Sequence, residues 1–254
     1  MTPITAHAKI NWALRVTGKR GDGYHDIETL FQTISLHDTL TIEPAATLSM
    51  TCSDPTIPTD DTNLVIRAAK AAGLRARIHL EKRIPAGGGL GGGSSDAAAI
   101  LVFADHAEVA RSIGSDVPFF IRGGTQYATG RGEILTPMPS VAPVPLILLF
   151  PEERVQTAQA YAVLRRFSPP LGIDRYRAMI EDNLLDHAAE LINDFEDNLP
   201  HLRVLKTQLY ESGAAWAGMS GSGSTIVGAF RSQADRDAAI RRFSGVRALA
   251  CETV

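Results

Sequence analysis

Apolar and polar residues alternate along the first third of the chain, which is the pattern of strands that bury one face. The alternation predicts strands at Thr5–Thr17, Ile27–Ile34, Thr39–Ile42 and Thr47–Cys52. Residues 18–23 are rich in glycine and charged residues, as in a turn, and they separate the first two strands. The opening third is therefore predicted to be a β-meander.

The next segment changes from strand to helix and back. Asp60–Asn63 is a helix-start signal for the apolar helical pattern over Leu64–Ala72, and Ala76–Ile84 alternates again as a strand. That strand runs directly into Pro85–Ala99, where six glycines lie within residues 87–93 and an alanine-rich helix pattern follows. The expected caps of this helix are Ser94, Ser95 or Asp96.

The rest of the chain shows shorter helix and strand patterns around one proline-rich break. Four prolines within Thr136–Pro145 interrupt any regular pattern, so a domain boundary is predicted there, giving domains 1–142 and 143–254. The further predicted helices are Ala107–Ile113, Thr157–Phe167, Asp174–Asn193, Pro200–Gly213 and Gln233–Phe243, with a turn at Ser115–Phe120. The further predicted strands are the hairpin Thr125–Leu135, Leu146–Phe150, Ala214–Met219 and Thr225–Phe230.

Composition and charge exclude several classes of function. The net charge is −3 over 254 residues and no block of Lys and Arg is interleaved with aromatic residues, so no nucleic-acid partner is expected. The longest apolar run, Leu146–Phe150, is too short to cross a membrane, and the N-terminus lacks the pattern of an export signal. Cys52 and Cys251 are the only cysteines and lie in no metal-ligand spacing, which predicts a reduced, cytoplasmic protein.

The glycine turn, Gly87–Gly93, is the strongest chemical signal. Glycines permit positive φ and close backbone approach, and the first amides of the following helix lack intrahelical partners, so the turn is suited to a phosphate. The sequence has no Gly-Lys-Ser/Thr ending of a P-loop, and the match of Gly87-x-Gly89-x-x-Gly92 to the dinucleotide pattern is weak by itself. A mobile linker is the alternative, but linkers seldom join a strand pattern directly to a helix start.

Four other places carry candidate chemistry. They are Lys9 with Asn11, Tyr24–His25, Asp116, and a second glycine–serine loop at Gly221–Ser224. Each has an ordinary explanation, because an edge-strand lysine is usually solvated, an aspartate before Val-Pro caps a turn, and Tyr24–His25 fits a plain loop. No pair of carboxylates at metal spacing identifies a metal ligand, so the metal ligands are unknown.

The order and spacing of these places together resemble the GHMP kinases, small-molecule kinases named for galactose, homoserine, mevalonate and phosphomevalonate. Ala8–Asn11 is similar to the first motif of that family, Pro85–Ala99 to its glycine-rich second motif and Met219–Gly223 to its third. Further pieces resemble the branch that phosphorylates the 2-hydroxyl of 4-diphosphocytidyl-2-C-methyl-D-erythritol in the non-mevalonate isoprenoid pathway. In family order these are Gly21–Asp26, Leu30–Gln32, Asp61–Val65, Leu90–Ala98 and Ser115–Phe120.

The resemblance implies a two-domain α+β fold. Its N-terminal domain is expected to be β-rich, to contain a βαβ crossover and to bind the nucleotide, and its smaller C-terminal domain to be α+β, with the active site in the cleft between them. ATP and Mg²⁺ are the implied cofactors, with Mg²⁺ held mostly by phosphates, water and a serine hydroxyl. The implied partner is the cytidine diphosphate-linked methylerythritol, bound by a monomer or weak homodimer.

The resemblance also implies roles for individual residues. Asp116 is expected to take the proton from the substrate hydroxyl, with Lys9 beside it to hold the carboxylate ionised and to neutralise charge on the transferred group. The residues expected to bind ATP are Asn63 at the adenine and Pro85, Gly87, Gly88, Gly89, Leu90, Gly91, Gly92, Gly93, Ser94 and Ser95 at the phosphates. In the substrate site, Tyr24 and Tyr161 are expected on the two faces of the cytosine and His25 at its edge. The other residues expected to bind the substrate are Asn11, Asp116, Thr157, Gly221 and Ser222.

Three other interpretations stay open at this point. Another GHMP kinase of homoserine or mevalonate type needs no cytosine site, and a nucleotide-binding module without activity needs neither Lys9 nor Asp116. A dinucleotide oxidoreductase is expected to carry its glycines after an early strand of a parallel sheet, whereas here they follow a long β-rich opening. The chain also departs from the family pattern, since the helices after Asn63 and Asp96 are short and His7 replaces a usual proline.

Overall fold

The structure is a computed structural model that describes residues 3–141, 143–153, 155, 157–164, 166–199 and 202–254. The described residues form two units of mutually contacting segments. Unit 1 holds the residues up to Lys9 with Leu36–Ala86 and Gly91–Gly123, and unit 2 holds Ile10–Ser35, Gly87–Leu90 and Gly124–Val254.

Two long strands open the chain. β1 is Ile4–Lys19 and β2 is His25–Pro44, and the two strands pair. The sequence predicts two strands where β2 is a single one. The polar Asp38 is accommodated inside this strand because its carboxylate accepts hydrogen bonds from the main-chain amides of Arg83 and Ile84.

The strands of unit 1 do not form the predicted meander. β3 is Ser49–Cys52 and β4 is Ala76–Glu81. β4 pairs antiparallel with the end of β2 and parallel with β3. A parallel pair needs a crossover connection, which a helix supplies here. The β-meander prediction is therefore wrong, and the βαβ crossover implied by the family resemblance is confirmed.

Four α-helices and one 3₁₀ turn complete the described part of unit 1. α1 is Leu64–Ala71 and α2 is Gly92–Phe103, and a 3₁₀ turn at Ala107–Val109 leads to α3 at Ala110–Ile113. Where the sequence predicts a turn at Ser115–Phe120, α4 begins at Val117 and runs to Arg122, with Pro118 in its first turn, where proline fits. The apolar core of the unit includes Leu40, Val65, Ala68, Ile78, Ala97, Ile100 and Val117.

The strands of unit 2 form a hairpin and a separate antiparallel sheet. The predicted hairpin is confirmed as β5, Thr125–Thr129, and β6, Ile134–Pro137, and β5 pairs with the start of β2. The strands of the sheet are β7 Pro145–Phe150, β8 Trp216–Met219, β9 Ile226–Ala229 and β10 Arg247–Glu252. Their order in the sheet is β10-β7-β9-β8. The sequence gives no sign of β10, a short edge strand in which only Cys251 is buried.

The helices of unit 2 are shorter than predicted. The helix predicted over Asp174–Asn193 ends at Asp182, because Asn183 is extended and its side chain accepts a hydrogen bond from the amide of Leu185. Arg165, Pro200 and His201, which belong to predicted helices, lie outside the described residues. No helix in the described ranges has the length and apolarity to span a bilayer. The helices are α5 Thr157–Ala162, α6 Ile173–Asp182, 3₁₀ helices Leu184–Glu190 and Asp194–Asn198, α7 Arg203–Glu211 and α8 Gln233–Ile240.

Candidate active site

The backbone of the glycine turn uses the freedom that only glycine has. Gly87, Gly89 and Gly91 have φ of +75°, +77° and +71°. Gly91 is the N-cap residue of α2, and because it has no side chain, no side-chain hydrogen bond caps the helix. The predicted caps Ser94, Ser95 and Asp96 lie inside the helix instead, so that prediction is wrong. The N-terminal amides of α2 are therefore suited to bind an anion.

Lys9 lies directly beside this helix start. A Cβ at Gly91 would lie 3.3 Å from Lys9 Cγ and 2.6 Å from the Phe120 ring, so the turn approaches the lysine as closely as a glycine allows. The lysine is 3% exposed. Burial lowers the pKa of Lys9, and the charge of Asp116 raises it in opposition. Lys9 is therefore buried within electrostatic range of an acidic residue, unlike the solvated edge-strand lysine that is the ordinary expectation.

Asp116 is the other member of this electrostatic pair. It occupies the N-cap position of α4, yet its side chain makes no capping hydrogen bond. The ordinary explanation, that an aspartate before Val-Pro serves as a cap, therefore does not account for its carboxylate. Lys9 and Asp116 are more than one hundred residues apart in the chain, and folding of unit 1 brings their charges within electrostatic range.

Asn63 and Ser95 use their polar groups within unit 1. Asn63 caps α1, with its side-chain oxygen accepting from the amide of Val65 and its amide donating to the carbonyl of Pro58. The Ser95 hydroxyl donates to the carbonyl of His7 over 2.6 Å, which ties α2 to β1. Both contacts are structural, and the ATP-binding roles of Asn63 and Ser95 stay predictions.

In unit 2, the second glycine–serine loop meets the first half of the glycine turn. A Cβ at Gly89 would lie 2.1 Å from the carbonyl oxygen of Ser220, and the Ser220 hydroxyl donates to the Gly89 carbonyl over 2.9 Å. The loop is also linked to α5, because the hydroxyls of Ser222 and Thr157 are 2.9 Å apart. Three of the predicted substrate residues, Thr157, Gly221 and Ser222, thus belong to one connected loop region.

Aromatic residues of unit 2 form a second group. The His25 ring stacks on the Tyr161 ring with centroids 4.8 Å apart, and Phe195 meets Tyr161 edge-on at the same distance. Tyr24 is 55% exposed and carries the Arg131 guanidinium over its ring at 4.6 Å. The prediction places Tyr161 opposite Tyr24, whereas the structure stacks it on His25. Burial, and next the charge of Lys19, lowers the pKa of His25.

Asn11 is buried on β1 and oriented by its neighbour. Its side-chain amide donates to the Thr29 hydroxyl over 2.7 Å, and that hydroxyl donates in turn to the carbonyl of Ala13. Asn11 and Lys9 are two residues apart in one strand, so their side chains leave β1 on the same face.

Comparison with known proteins identifies the family. The family model described as "GHMP kinases N terminal domain" matches residues 63–124, and that described as "GHMP kinases C terminal" matches residues 177–246. A 4-diphosphocytidyl-2-C-methyl-D-erythritol kinase of Chlorobium luteolum is 40% identical over 94% of this chain and 92% of its own length. The chain belongs to the 4-diphosphocytidyl-2-C-methyl-D-erythritol kinase family. A relative of the same name from Salinibacter ruber is 39% identical over 93% of this chain and 92% of its own length.

Solved structures agree with that kinase family. A crystal structure of 4-(cytidine 5'-diphospho)-2C-methyl-D-erythritol kinase has a TM-score of 0.87 and 34% identity, and covers 99% of both chains. A homoserine kinase from Cytophaga hutchinsonii is only 16% identical, with a TM-score of 0.60 and 100% of this chain and 95% of its own covered. That likeness concerns the fold alone. The predicted two-domain GHMP-kinase fold is confirmed, and the homoserine and mevalonate interpretations are not favoured.

In this member of the kinase family, sequence reasoning missed a buried cluster of charged side chains that lies under α2. Lys82 binds both Asp38 and Asp96, and the Lys82–Asp96 distance is 2.9 Å. Lys82 stands in the stretch Glu-Lys-Arg, which gives no sign of burial. Its side chain is nevertheless 6% exposed. Only the three-dimensional fold shows this cluster.

Asn193 and Arg131 were also missed. The Asn193 amide donates to the carbonyls of Met219 and Gly221, over 2.7 and 2.8 Å, and so fixes the second glycine–serine loop. The sequence offered a weak signal for Arg131, which lies between the two hairpin glycines Gly130 and Gly132 and is thereby presented at a loop tip. Within the described part of the chain, no three His, Cys, Asp or Glu side chains cluster as a metal site.

Proposed function

We propose that this protein transfers the γ-phosphoryl group of ATP to the 2-hydroxyl of 4-diphosphocytidyl-2-C-methyl-D-erythritol. The products are the 2-phosphate and ADP, a step in the methylerythritol phosphate route to isoprenoid precursors. The single observation that carries the proposal is the buried Lys9, which lies against Gly91 at the N-terminus of α2 and interacts with Asp116. Membership of the kinase family supplies the identity of the substrate.

Asp116 is the proposed general base. Its carboxylate accepts the proton of the 2-hydroxyl while the hydroxyl oxygen forms its bond to the γ-phosphorus and the bond to the β–γ bridging oxygen breaks. ADP leaves with the electron pair of that bond, and no phosphoenzyme forms. Since the side chain makes no capping bond, the carboxylate is not committed to helix α4.

Lys9 is the proposed electrostatic partner. A buried ammonium lowers the energy of a nearby carboxylate and of the negative charge on the transferring phosphoryl group, and it acts more strongly in a site shielded from water. Burial lowers the pKa of Lys9 and the charge of Asp116 raises it in opposition, so the two groups interact electrostatically. The pair is therefore proposed to act as one unit.

The ATP phosphates are proposed to bind at the glycine turn and the N-terminus of α2. Positive φ at Gly87, Gly89 and Gly91 exposes backbone without Cβ atoms, and the helix amides and dipole favour an anion. Mg²⁺ would neutralise charge on the phosphates, and a serine hydroxyl would be the protein group that helps to hold it. The other proposed nucleotide contacts are those predicted above, with Asn63 at the adenine.

The cytidine part of the substrate is proposed to bind at the aromatic group. Tyr24 and Tyr161 offer exposed or half-buried ring faces for stacking, and the His25 ring offers both a donor and an acceptor for the edge of cytosine. His25 now covers one face of Tyr161, so a base on that face displaces the histidine ring. Asn11, Thr157, Gly221 and Ser222 are the other proposed substrate contacts.

The remaining properties follow from the same proposal. The protein is proposed to be a cytoplasmic monomer or weak homodimer without nucleic-acid or membrane partners. The proposed domain boundary near residue 142 falls between the segments matched by the two family models, which supports it.

A comparison of acceptor substrates tests the function. With ATP and Mg²⁺ present, phosphorylation of 4-diphosphocytidyl-2-C-methyl-D-erythritol is expected, and methylerythritol phosphate without the cytidyl group is expected to react far more slowly. Turnover of homoserine or mevalonate in its place would contradict the substrate assignment. Binding of ATP without turnover of any acceptor would favour the inactive nucleotide-binding module.

A further inference from the structure

Three charged side chains from separate parts of unit 1 form a buried cluster. The Lys82 ammonium binds Asp38 and lies 2.9 Å from Asp96, and the side-chain exposures of the lysine and the two carboxylates are 6%, 0% and 2%. One Asp38 oxygen accepts from the amides of Arg83 and Ile84, so that carboxylate is well satisfied. Removing three charged groups from water costs free energy, which their ion pairs and hydrogen bonds must offset.

The cluster lies against the first turn of α2. A Cβ added to Gly92, the first residue of the helix, would lie 2.8 Å from Lys82 Nζ. Asp96 is itself part of α2, four residues further along. The charge of the cluster therefore contributes to the electrostatic potential at the end of the helix where the nucleotide phosphates are proposed to bind.

The cluster holds more negative than positive charge. Lys82 is its one ammonium, and Asp38 and Asp96 are two carboxylates. Asp96 Oδ1 is buried and has no hydrogen-bond partner among the described residues. An ionised Asp96 therefore leaves an uncompensated charge, which stabilises the helix dipole but opposes an anionic ligand at the same end.

We propose that the carboxylate of Asp96, held by Lys82 beneath the start of α2, weakens binding of the nucleotide phosphates at that end of the helix. This inference rests on the proposed function, since it takes ATP and ADP as the ligands of that helix end. It goes beyond that function, because it makes nucleotide affinity depend on the charge of a buried residue with no place in the phosphoryl-transfer step.

The protonation of Asp96 gives the inference a pH dependence. Burial raises the pKa of Asp96 to about 7, against the opposing charge of Lys82 and with the help of Asp38. The carboxyl thus carries a proton below neutrality and a negative charge above it, so nucleotide affinity falls as pH rises. Burial lowers the pKa of Lys82, but the two carboxylates outweigh it and raise that pKa above its ordinary value, which keeps the ammonium charged.

Other titratable groups near α2 do not reverse this sign. Cys52 is in electrostatic range of Asp96, and burial raises the pKa of its thiol, so the thiol is neutral at the pH values of interest. Burial lowers the pKa of Lys9, and the charge of Asp116 raises it in opposition. The charged residues on the helices packed against α2 are exposed: Arg67, Lys70, Glu108, Arg111 and Arg122.

The test compares ADP and adenosine as ligands of the parent and the Asp96→Asn variant by calorimetric titration. Asparagine keeps the side-chain shape and an acceptor for Lys82 while removing the charge. At about pH 8 the variant is expected to bind ADP about fivefold more tightly than the parent, and at about pH 6 equally. Adenosine has no phosphate, so its affinity is expected to be the same in both proteins.

Asp105→Asn is the matched control. It makes the same chemical change at an exposed position beyond the other end of α2, about 13 Å further along by the helical rise. Its ADP affinity is expected to equal that of the parent at both pH values. Asp96→Ala, which removes the same charge and leaves Lys82 bound to Asp38, is the second variant and is expected to reproduce the effect if Asp96→Asn does not fold.

The outcomes separate this inference from the proposed function. Equal ADP affinity of parent and variant near pH 8, or an equal change for adenosine, would overturn the inference and leave the kinase assignment intact. Failure of the parent to bind ADP at either pH would overturn the proposed function, and this inference with it.

Discussion

The His25 ring stacks on the Tyr161 ring, with centroids 4.8 Å apart and planes 18° from parallel. Phe195, which is 1% exposed, supports Tyr161 from its edge. Tyr161 is thus fixed from one side by Phe195, and the His25 ring covers its face; the proposed cytosine site requires a base to take the place of that ring. This relationship favours a base-binding role for Tyr161 over the alternative that it is an ordinary core tyrosine.

Substitution of Tyr161 is expected to affect one substrate only. Tyr161→Ala should raise KM for the cytidyl substrate by about tenfold or more, because stacking of one base is worth roughly 1–3 kcal/mol. KM for ATP should stay within about twofold. Tyr161→Phe keeps the ring and is the control, with near-parental constants expected. A parental KM in the alanine variant would remove Tyr161 from the base site.

Gly91→Ala is expected to damage both stability and ATP use. Its φ of +71° disfavours any side chain, and the new methyl group would meet Phe120 and Lys9. Positive φ alone costs about 1 kcal/mol, and the clash adds to it. Gly73→Ala is the matched control, since Gly73 has φ of +62° and open space around it.

Thermal unfolding and steady-state kinetics check this prediction. The Gly73 variant should lose some stability and keep its KM for ATP, while the Gly91 variant should lose more stability and use ATP less efficiently. Equal losses in the two variants would mean that the close approach of Gly91 to Lys9 has no consequence.

Asn193→Ala is expected to loosen the second glycine–serine loop. Its amide satisfies the carbonyls of Met219 and Gly221, and leaving buried carbonyls unpaired costs roughly 1–3 kcal/mol. Asn183→Ala is the control: Asn193 and Asn183 each cap a 3₁₀ helix with the side-chain oxygen, but Asn183 is exposed. It should lose only about 1 kcal/mol. KM for the cytidyl substrate, measured in both variants, should rise only in Asn193→Ala.

Asp96→Asn is expected to stabilise the protein most at high pH. The pKa of Asp96 is about 7 in the folded chain and about 3.9 when unfolded, so the folded state binds the extra proton between these values. Stability of the parent therefore falls as pH rises through this window. The increase in stability that the neutral asparagine gives over the parent should be larger near pH 8 than near pH 5, and thermal unfolding measures it. A gain that does not depend on pH would contradict the shifted pKa.

Local patterns predicted the elements that hold the site. The strand, glycine turn and helix of residues 76–103, and the cap at Asn63, follow from alternation and turn chemistry within a few residues. The cap of α2 was wrong because Gly91 takes a left-handed conformation, which a composition of six glycines permits at several places. Local signals identify such a turn but do not place its helix start.

Long-range pairing was beyond sequence reasoning without the family resemblance. The parallel pairing of β3 with β4 and the edge strand β10 depend on tertiary partners. Lys82 looks like a surface residue until Asp38 and Asp96 come from other segments to meet it. The pairing of Lys9 with Asp116 was expected only from the family's motifs, since neither residue has a local pattern that points to the other.

The turnover of Asp116→Asn tests the central claim most directly, with ADP affinity measured on the same preparation. Loss of a general base should reduce turnover of the cytidyl substrate by roughly two to four orders of magnitude, and ADP affinity should stay within about threefold of the parent. Asp105→Asn should be fully active. Turnover of Asp116→Asn within about tenfold of the parent, with ADP bound normally, would contradict the proposal that Asp116 and Lys9 carry the phosphoryl transfer.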